Sequence, residues 1–493
     1  MLRSVVSIIG VLACLLFGGV ASGQLSDRAA EMPTEAVFSP APDFVVEIEP
    51  ADPDEAIHEP YGGVRYLLVD DQHDSRGEEP VSYYRQVREA INASGVDAIA
   101  SLEVNFDPAY HSLVFHHVRL TRDGVTEDRK DRSLIEFARR ETSRDRQMLN
   151  GEATAMLRMD DVRRGDIVDI AYSIVGDNPV FTDHDFRRFS LNWSLPVERR
   201  SIRSHWARGT VQHWDVAGGD ADVERRVSRN TESFILEPAP RAAVDTEAGA
   251  PLELEQFASL RISSYADWNE VAEWARPLFD FEMDDSVQAL AAEIAGRHSR
   301  AEAQLIEALR FVQNDIRYLA LTYGEGSYLP AAPADTLDVR YGDCKAKTVL
   351  LMELARALGF EADAALVSLS TGFGLPDLEP SPGAFDHVIV RLTRNGETFW
   401  LDPTQSHQGG TLETLVEPDY GYALVLDGEG NGVERMRTEP HPTEPTVVIE
   451  EQLDISGGQH EPAYLDVVTT FTRANADYMR YLIAENGRSG IRR

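Results

Sequence analysis

Alternating apolar and polar residues dominate the first half of the chain. Leu102, Val104 and Phe106 alternate with polar residues, and another apolar run ends just before an Asp-Gly pair at positions 123–124. A period of two indicates strands with one buried face, and an Asp-Gly pair indicates a hairpin turn. Several such strands separated by turns predict an antiparallel β-sandwich over residues 45–237.

The period changes to that of helices in the second half. Two segments carry apolar residues three and four positions apart, one from Val287 and one from Leu305. A third helix is predicted to begin at Asp343 or Cys344 and to end at Gly359, because glycine favours the position after a helix. The second half therefore begins with three predicted helices in succession.

Short strands follow these helices, and they are predicted over residues 364–369, 385–393, 397–401 and 422–426. Between the second and third of them, Asn395 and Gly396 predict a two-residue hairpin turn. Helices followed by strands joined through a hairpin predict an α+β domain over residues 262–436. A linker over residues 238–261 is expected to join this domain to the β-sandwich.

In the last part of the chain, apolar and polar residues alternate again. A second linker, rich in proline, is predicted over residues 437–445, and Gly457 and Gly458 separate two alternating runs that predict a hairpin. The roughly fifty residues of 446–493 are too few for an independent β domain. We therefore expect a partial β segment with an unpaired edge, and the sequence leaves open whether the chain is a truncated form of a longer protein.

The first 23 residues have the pattern of a secretory signal peptide, in which Arg3 precedes an apolar stretch that ends in small residues. Residues 24–44 are polar with scattered prolines and predict a tether. The surroundings of Cys14 faintly resemble a lipoprotein acylation site, but the apolar stretch continues beyond it. The protein is therefore expected to be secreted across the inner membrane and to lie in the periplasm.

Charge and hydropathy narrow the range of partners. The chain has 47 basic and 83 acidic residues and a formal net charge of −36. Such an acidic chain is unsuited to nucleic acid or to anionic lipid. Beyond the leader, no stretch approaches the ~20 apolar residues of a membrane span. The sequence predicts no nucleic-acid partner and no membrane span, and it leaves the oligomeric state open.

Once the leader is removed, the chain has a single cysteine, Cys344, so an internal disulfide is excluded. The alternatives are an inert core thiol and a reactive one. Gly342 and Asp343 precede the thiol, and a helix that begins there would favour the thiolate through its dipole. Two of the three lysines of the chain, Lys345 and Lys347, follow on the same turn. This placement favours a reactive, partly exposed thiol.

The predicted hairpin brings two further polar residues together. If residues 395–396 form the turn, His387 pairs with Thr404 and Asp402 pairs with Ile389. Residues two apart share a face of a strand, so His387 and Asp402 are predicted on the same side of the sheet. The carboxylate can then accept from one imidazole nitrogen and leave the other for the thiol.

Each of these residues also has a purely structural interpretation. Cys344 could fill the core, His387 could end a strand on the surface, and Asp402 could form a turn before Pro403. A metal site is not predicted at His111, His116 and His117, because neighbouring strand residues face opposite ways and no cysteine or carboxylate spacing completes a set of ligands. No cofactor is predicted either, since the chain lacks a phosphate-binding glycine loop.

Three motifs resemble the core of the transglutaminase-like superfamily: Tyr341-Gly342-Asp343-Cys344-Lys345, Phe385-Asp386-His387 and Trp400-Leu401-Asp402-Pro403-Thr404. The resemblance is to a bacterial branch that carries an N-terminal domain named DUF3857, which residues 45–237 resemble more loosely. It implies a papain-like fold in which the cysteine lies on a helix packed against a sheet. The chain departs from this branch at Ala346, a position at which the branch often has an acidic residue.

Carried over to this chain, the resemblance implies a nucleophile at Cys344, a base at His387 and an orienting residue at Asp402, with Asp343 and Lys345 in support. The implied reaction is acyl transfer at an amide of a protein or peptide substrate through a thioester. Water would then give hydrolysis, and an amine would give crosslinking. The alternative is a catalytically idle module whose groove binds an extended peptide or a cell-envelope ligand.

Overall fold

The computed structural model describes residues 32–131, 133–139, 148–149, 151–181, 184–251, 254–321, 324–436 and 446–491. The predicted signal peptide, the first part of the tether and the linker over residues 437–445 lie outside these ranges. In the part of the chain that is described, no helix combines the length and the apolar character needed to cross a membrane.

The first half is strand-rich, and its strands are β1 (Val37–Phe38), β2 (Val64–Asp74), β3 (Val81–Ala90), β4 (Ser101–Phe106), β5 (Ser112–Arg122), β6 (Val125–Asp128), β7 (Ser133–Arg139), β8 (Met148–Leu149), β9 (Ala153–Met159), β10 (Ile167–Val175), β11 (Phe186–Ser190), β12 (Val197–Ala207), β13 (His213–Ala217), β14 (Val223–Val227), β15 (Thr231–Arg241) and β16 (Ser259–Ser263). One helix, α1 (Ala93–Ile99), lies among these strands in the described residues. The N-terminal part is therefore a β-rich domain.

The second half is mixed, and its helices are α2 (Trp268–Ala275), α3 (Asp285–Arg297), α4 (Ala301–Asn314), α5 (Pro333–Val339), α6 (Cys344–Ala357) and α7 (Arg473–Ile491). Its strands are β17 (Arg317–Tyr318), β18 (Ala320–Leu321), β19 (Tyr341–Gly342), β20 (Glu361–Val367), β21 (His387–Arg394), β22 (Glu397–Leu401), β23 (Tyr422–Val425), β24 (Val433–Arg435), β25 (Val447–Asp454) and β26 (Tyr464–Phe471). The whole chain is therefore α+β, as predicted.

Two sheets pack face to face in the N-terminal domain. The larger has the strand order β1-β5-β10-β3-β2-β12-β15-β14, with β6 paired to β5, and the smaller has the order β4-β9-β7. Buried residues from both sheets, including Phe115, Ile170, Phe106 and Leu157, form one core. The alternating pattern thus predicted the layers, because each strand buries one face.

The prediction that this domain is antiparallel throughout is wrong. Strand β12 runs parallel to β2, and β1 runs parallel to β5. Strand β12 enters the large sheet from β11, which belongs to another sheet, so no hairpin joins β12 to its neighbour β2. Only a hairpin obliges neighbouring strands to run antiparallel, and sequence alternation does not report strand direction.

A third sheet ties the two halves of the chain together. It has the order β11-β16-β13, and its central strand, Ser259–Ser263, spans the boundary predicted at residue 262. Strand β15 also continues to Arg241, inside the predicted linker. The segment that leads into the second half is therefore hydrogen-bonded to the N-terminal domain on both of its edges.

In the second half, helix α6 packs on one face of an antiparallel sheet with the order β22-β21-β20-β23-β24. Helices α3 and α4 complete this core with α6. The predicted helix is confirmed, because α6 begins at Cys344 and Gly359 follows it at φ +86°. The amides of Gly359 and Phe360 donate to the carbonyls of Arg356 and Ala355, which ends the helix in a Schellman motif.

The predicted hairpin register is also confirmed. Residues Arg394 and Glu397 pair, and the ladder continues to Val390 and Leu401 without a shift. Asn395 has a φ of +50° and Gly396 a φ of +82°, which is the backbone of a tight two-residue turn. The register places His387 at the start of β21, and Asp402 follows directly after the end of β22.

A carboxyl pair lies between the N-terminal domain and a loop of the second half. Arg261 of β16 donates to both oxygens of Asp215 on β13, and it also pairs with Glu379 of the loop after residue 377. Burial, followed by hydrogen bonding to Asp215, raises the pKa of Glu379 to about 8. The two carboxyl groups therefore share a proton at neutral pH.

This pair predicts a pH-dependent stability. Glu379 binds a proton in the folded protein up to about pH 8 and in the unfolded chain only up to about pH 4.3, so its contribution is complete below pH 4.3 and is lost as the pH rises through 8. We expect Glu379→Gln to match the wild type at pH 4 and to be more stable at pH 8.5, by on the order of 3 kcal/mol. Thermal melting at both pH values measures this, and equal melting temperatures at pH 8.5 would contradict the shared proton.

The C-terminal segment forms the predicted hairpin, with Val447 paired to Phe471 and Asp454 paired to Tyr464. One face of the hairpin is apolar, and residues such as Ile449 and Leu453 on this face are each 60% exposed. Helix α7, which the alternation did not predict, contacts the loop at residues 405–410. There the Gly409 amide donates to Asp477, and the contacts across this boundary are mainly polar.

We expect limited proteolysis to remove this segment first. The hairpin strands are exposed along their length and contribute no residue to the buried cores of the protein. Low-stability regions with few buried apolar contacts open first and are cleaved first. Mass spectrometry of thermolysin fragments should show early cuts between residues 446 and 491 with Cys344 still in a resistant fragment. Early cuts within α3, α4 or α6 would contradict this expectation.

Candidate active site

The thiol of Cys344 lies at the first turn of α6. Asp343 caps this helix, because its carboxylate accepts from the Ala346 amide at 2.9 Å. A side chain at Gly342 would lie only 2.8 Å from the Ala346 Cβ, so the turn into the helix requires glycine. Cys344 is half-buried, as predicted, and its backbone N–H has no partner within the helix.

His387 lies between Asp402 and Cys344. Its Nε2 atom is 3.0 Å from Oδ2 of Asp402, and its ring also hydrogen-bonds with the Cys344 side chain. Because Nε2 faces the carboxylate, Nδ1 is the nitrogen left for the thiol. The structure therefore brings together the three residues that the sequence singled out, in the order thiol, imidazole and carboxylate.

Four hydrogen bonds hold the carboxylate of Asp402. Its Oδ1 accepts from the amide and the hydroxyl of Thr404 at 2.7 and 2.6 Å, and its Oδ2 accepts from His387 and from the Tyr420 hydroxyl at 2.7 Å. Burial alone would raise the pKa of Asp402, but these donors, led by His387, outweigh burial and lower it. Asp402 is therefore a fixed anion on the far side of the imidazole.

The same contacts set the charge of His387. Burial alone would lower its pKa, but hydrogen bonds to Asp402 and Cys344, together with their negative charges, raise it to about 10. The ring is thus an imidazolium at neutral pH, and it lies beside the thiol. An adjacent cation favours the thiolate, which is the nucleophilic form of cysteine.

The two lysines after the thiol have separate roles. Lys345 pairs with Asp343, and although burial alone would lower its pKa, the charges of Asp343 and Cys344 raise it. Lys347 points into the core, where its ammonium donates to the backbone carbonyls of Gln313 at 3.3 Å and Ile316 at 2.9 Å. Burial lowers the pKa of Lys347 to about 8. Lys347 therefore anchors the end of α4 to the helix of the nucleophile.

This burial predicts that arginine cannot replace Lys347. The side chain is 1% exposed, and a bulkier guanidinium would overpack the site, at a cost of about 1–3 kcal/mol. We expect Lys347→Arg to lower the melting temperature by several degrees. The matched control is Lys130→Arg, because the side chain of Lys130 is 49% exposed. Equal melting temperatures for the two variants would show that position 347 has no requirement for lysine.

Sequence reasoning missed three residues that complete the site. Tyr420 donates to Asp402, and Gln313 donates to the backbone carbonyl of Asp402 at 3.0 Å. The hydroxyl oxygen of Tyr318 accepts from the Cys344 amide, and its pKa is raised by burial and then by the charge of Cys344. Each lies in a segment whose position depends on tertiary contacts, so no local pattern marked it.

Other residues considered from the sequence lie elsewhere. His116 and His117 hydrogen-bond to separate partners, Ser173 and Asp169, and His111 accepts from the Asp107 amide. Over the described ranges, no group of three or more His, Cys, Asp or Glu side chains is arranged to hold a metal ion.

A cleft of about 640 Å³ leads to the thiol. Its catalytic end includes Cys344, His387, Asp402, Tyr318 and Tyr420. The rest of its wall is mostly apolar, with Trp274, Ala275, Leu278, Phe279, Ala320, Tyr328, Leu366, Leu369, Pro382, Phe385 and Val388 among the lining residues. The thiol of Cys344 therefore borders a mostly apolar cleft.

A comparison with known protein families finds a match over part of the chain. Residues 79–234 match the family DUF3857, which is described as a domain of unknown function with a solved structure. The matched residues lie within the β-rich half of the chain. No match to the chain is found among curated proteins.

The fold is similar to that of a solved structure from Parabacteroides distasonis ATCC 8503, named as a candidate protease. The TM-score is 0.61 at 13% identity, and the match covers 80% of this chain and 78% of that protein. A candidate cysteine protease from Cytophaga hutchinsonii matches 59% of this chain and 90% of its own at 11% identity, with a TM-score of 0.23. The first likeness shows a shared fold across both halves of the chain.

Proposed function

We propose that the protein is a transglutaminase-like thiol enzyme that transfers or hydrolyses acyl groups at amide bonds of peptides. The observation that carries this proposal is the hydrogen-bonded series of Cys344, His387 and Asp402 at the end of a cleft. The helix packed on an antiparallel sheet agrees with a papain-like core. The likeness to the Parabacteroides distasonis candidate protease supports a peptide substrate.

In the proposed reaction, the thiolate of Cys344 attacks the carbonyl carbon of the substrate amide. The His387 imidazolium gives its proton to the leaving amine as the C–N bond breaks, and a thioester remains on Cys344. The neutral His387 then takes a proton from water or from a second amine, which attacks the thioester. The thiolate and the imidazolium are thereby regenerated, and Asp402 keeps the ring oriented throughout.

One donor supports the negative oxygen that develops during the attack. It is the hydroxyl of Tyr318, whose oxygen accepts from the backbone N–H of Cys344 and whose hydrogen can donate into the cleft. Removing one such donor typically costs 10²–10³-fold in rate. The leader sequence, taken alone, would place this chemistry outside the cytoplasm.

Alkylation kinetics test the proposal without knowledge of the substrate. Iodoacetamide should label Cys344 at pH 7 at least tenfold faster than it labels glutathione, because the imidazolium of His387 favours the thiolate. His387→Ala should lose this advantage. A wild-type rate no higher than that of glutathione would leave only an idle, binding role for the cleft.

A further inference from the structure

We propose that the cleft binds an apolar or aromatic side chain of the acyl-donor peptide on a wall formed by Trp274, Leu278 and Tyr328, and that Phe181 of the DUF3857 half holds this wall in place. The inference deepens the proposed function and rests on it, because the bound peptide is the substrate of Cys344. It names the substrate class and gives the N-terminal domain a role in selecting it.

Most of the charges that line the cleft are already paired. Asp343 pairs with Lys345, and Asp402 pairs with His387. Asp386 is exposed and accepts from two neutral groups, the Leu369 amide and the Ser370 hydroxyl, but it is not part of the wall. Among the described residues, the wall of Trp274, Leu278 and Tyr328 has no charged side chain, so a charged substrate group on it would lose water without gaining a partner.

The aromatic rings of the wall offer an apolar surface without charge. Trp274 and Tyr328 meet edge to face at 5.8 Å, and Leu278 lines the same cleft. Both rings are partly exposed and line the cleft, so part of their surface remains available to a ligand. A peptide side chain that covers such rings gains from burial and, if aromatic, from ring contacts.

The support for this wall comes from the other half of the chain. The Phe181 ring stacks on Trp274 at 5.3 Å and meets Tyr328 edge to face at 4.7 Å. The Trp274 indole also donates to the Val180 carbonyl at 3.0 Å. A turn at Asn178, whose carbonyl accepts from the Phe181 amide, fixes this segment between β10 and β11. Phe181 itself does not line the cleft, so it is a positioning residue.

The test uses four dipeptidyl vinyl sulfones that differ only in a Phe, Leu, Asp or Lys side chain, with the full chain as target. We expect the Phe and Leu probes to label Cys344 at least tenfold faster than the Asp and Lys probes. Trp274→Ala should abolish this preference, and Phe181→Ala should reduce it severalfold. Phe181→Leu, a milder change, should give an intermediate preference. Phe257→Ala is the matched control, since Phe257 is 37% exposed and lies outside the cleft, and it should keep the full preference.

Iodoacetamide separates this inference from the proposed function. It is too small to need the wall, so its rate should be unchanged in Trp274→Ala and Phe181→Ala. Equal rates for the four vinyl sulfones, with fast labelling by iodoacetamide, would overturn the apolar site and leave the thiol chemistry standing. Slow labelling by iodoacetamide as well would overturn both.

Discussion

Asp402→Asn is expected to slow acylation of Cys344 by about 10³–10⁴-fold while the fold remains intact. The four donors around the carboxylate explain the size of this effect. The Thr404 amide can only donate, so the asparagine carbonyl must face it, and the asparagine NH₂ group then faces His387. Nε2 of His387 would have to accept, which moves the ring proton to Nδ1. A neutral ring with its proton toward the thiol can neither favour the thiolate nor take its proton.

The initial burst of nitrophenol from 4-nitrophenyl acetate measures this rate. Asp363→Asn is the matched control, because Asp363 pairs with Arg391 on β21 and lies outside the cleft. It should acylate at the wild-type rate. An Asp402→Asn burst within tenfold of the wild type would contradict the orienting role of Asp402.

Cys344→Ala is expected to abolish the burst altogether. The thiol is the only group of the protein that forms a bond to the acyl carbon in the proposed reaction, so the remaining rate should equal that of uncatalysed hydrolysis. The variant should melt close to the wild-type temperature, because Cys344 is half-buried and alanine suits a helix.

The same variant should change the titration of His387. Part of the raised pKa comes from the hydrogen bond and charge of Cys344, so loss of the sulfur should lower it from about 10. NMR of the imidazole protons measures the titration. A retained burst in Cys344→Ala would assign the chemistry to another residue, and an unchanged titration of His387 would contradict the contact with the thiol.

The parts of the site that were predictable are set by local chemistry. Asp343 caps α6 because its carboxylate reaches an amide three residues ahead, and Asn395 with Gly396 fixes the hairpin because few other residues adopt their backbone. Once the turn is fixed, the register places His387 and Asp402 on one face. Both predictions needed only a few residues of contiguous sequence.

The remaining parts depend on contacts between distant segments. Tyr318 reaches Cys344 because β17 pairs with β19, and Lys347 anchors the preceding turn through the Ile316 carbonyl. Strand β16 could not be distinguished from a linker, since its partners lie far away in the chain. For the same reason, the support of the cleft wall by Phe181 has no counterpart in a local sequence pattern.

The central claim is that Cys344 is an activated nucleophile that forms a thioester. Acid-quenched mass spectrometry of the full chain after brief exposure to 4-nitrophenyl acetate tests it most directly. The account predicts a single acetyl group on the peptide that contains Cys344, and its removal by neutral hydroxylamine. An unmodified Cys344 under conditions in which glutathione is acetylated would contradict the account.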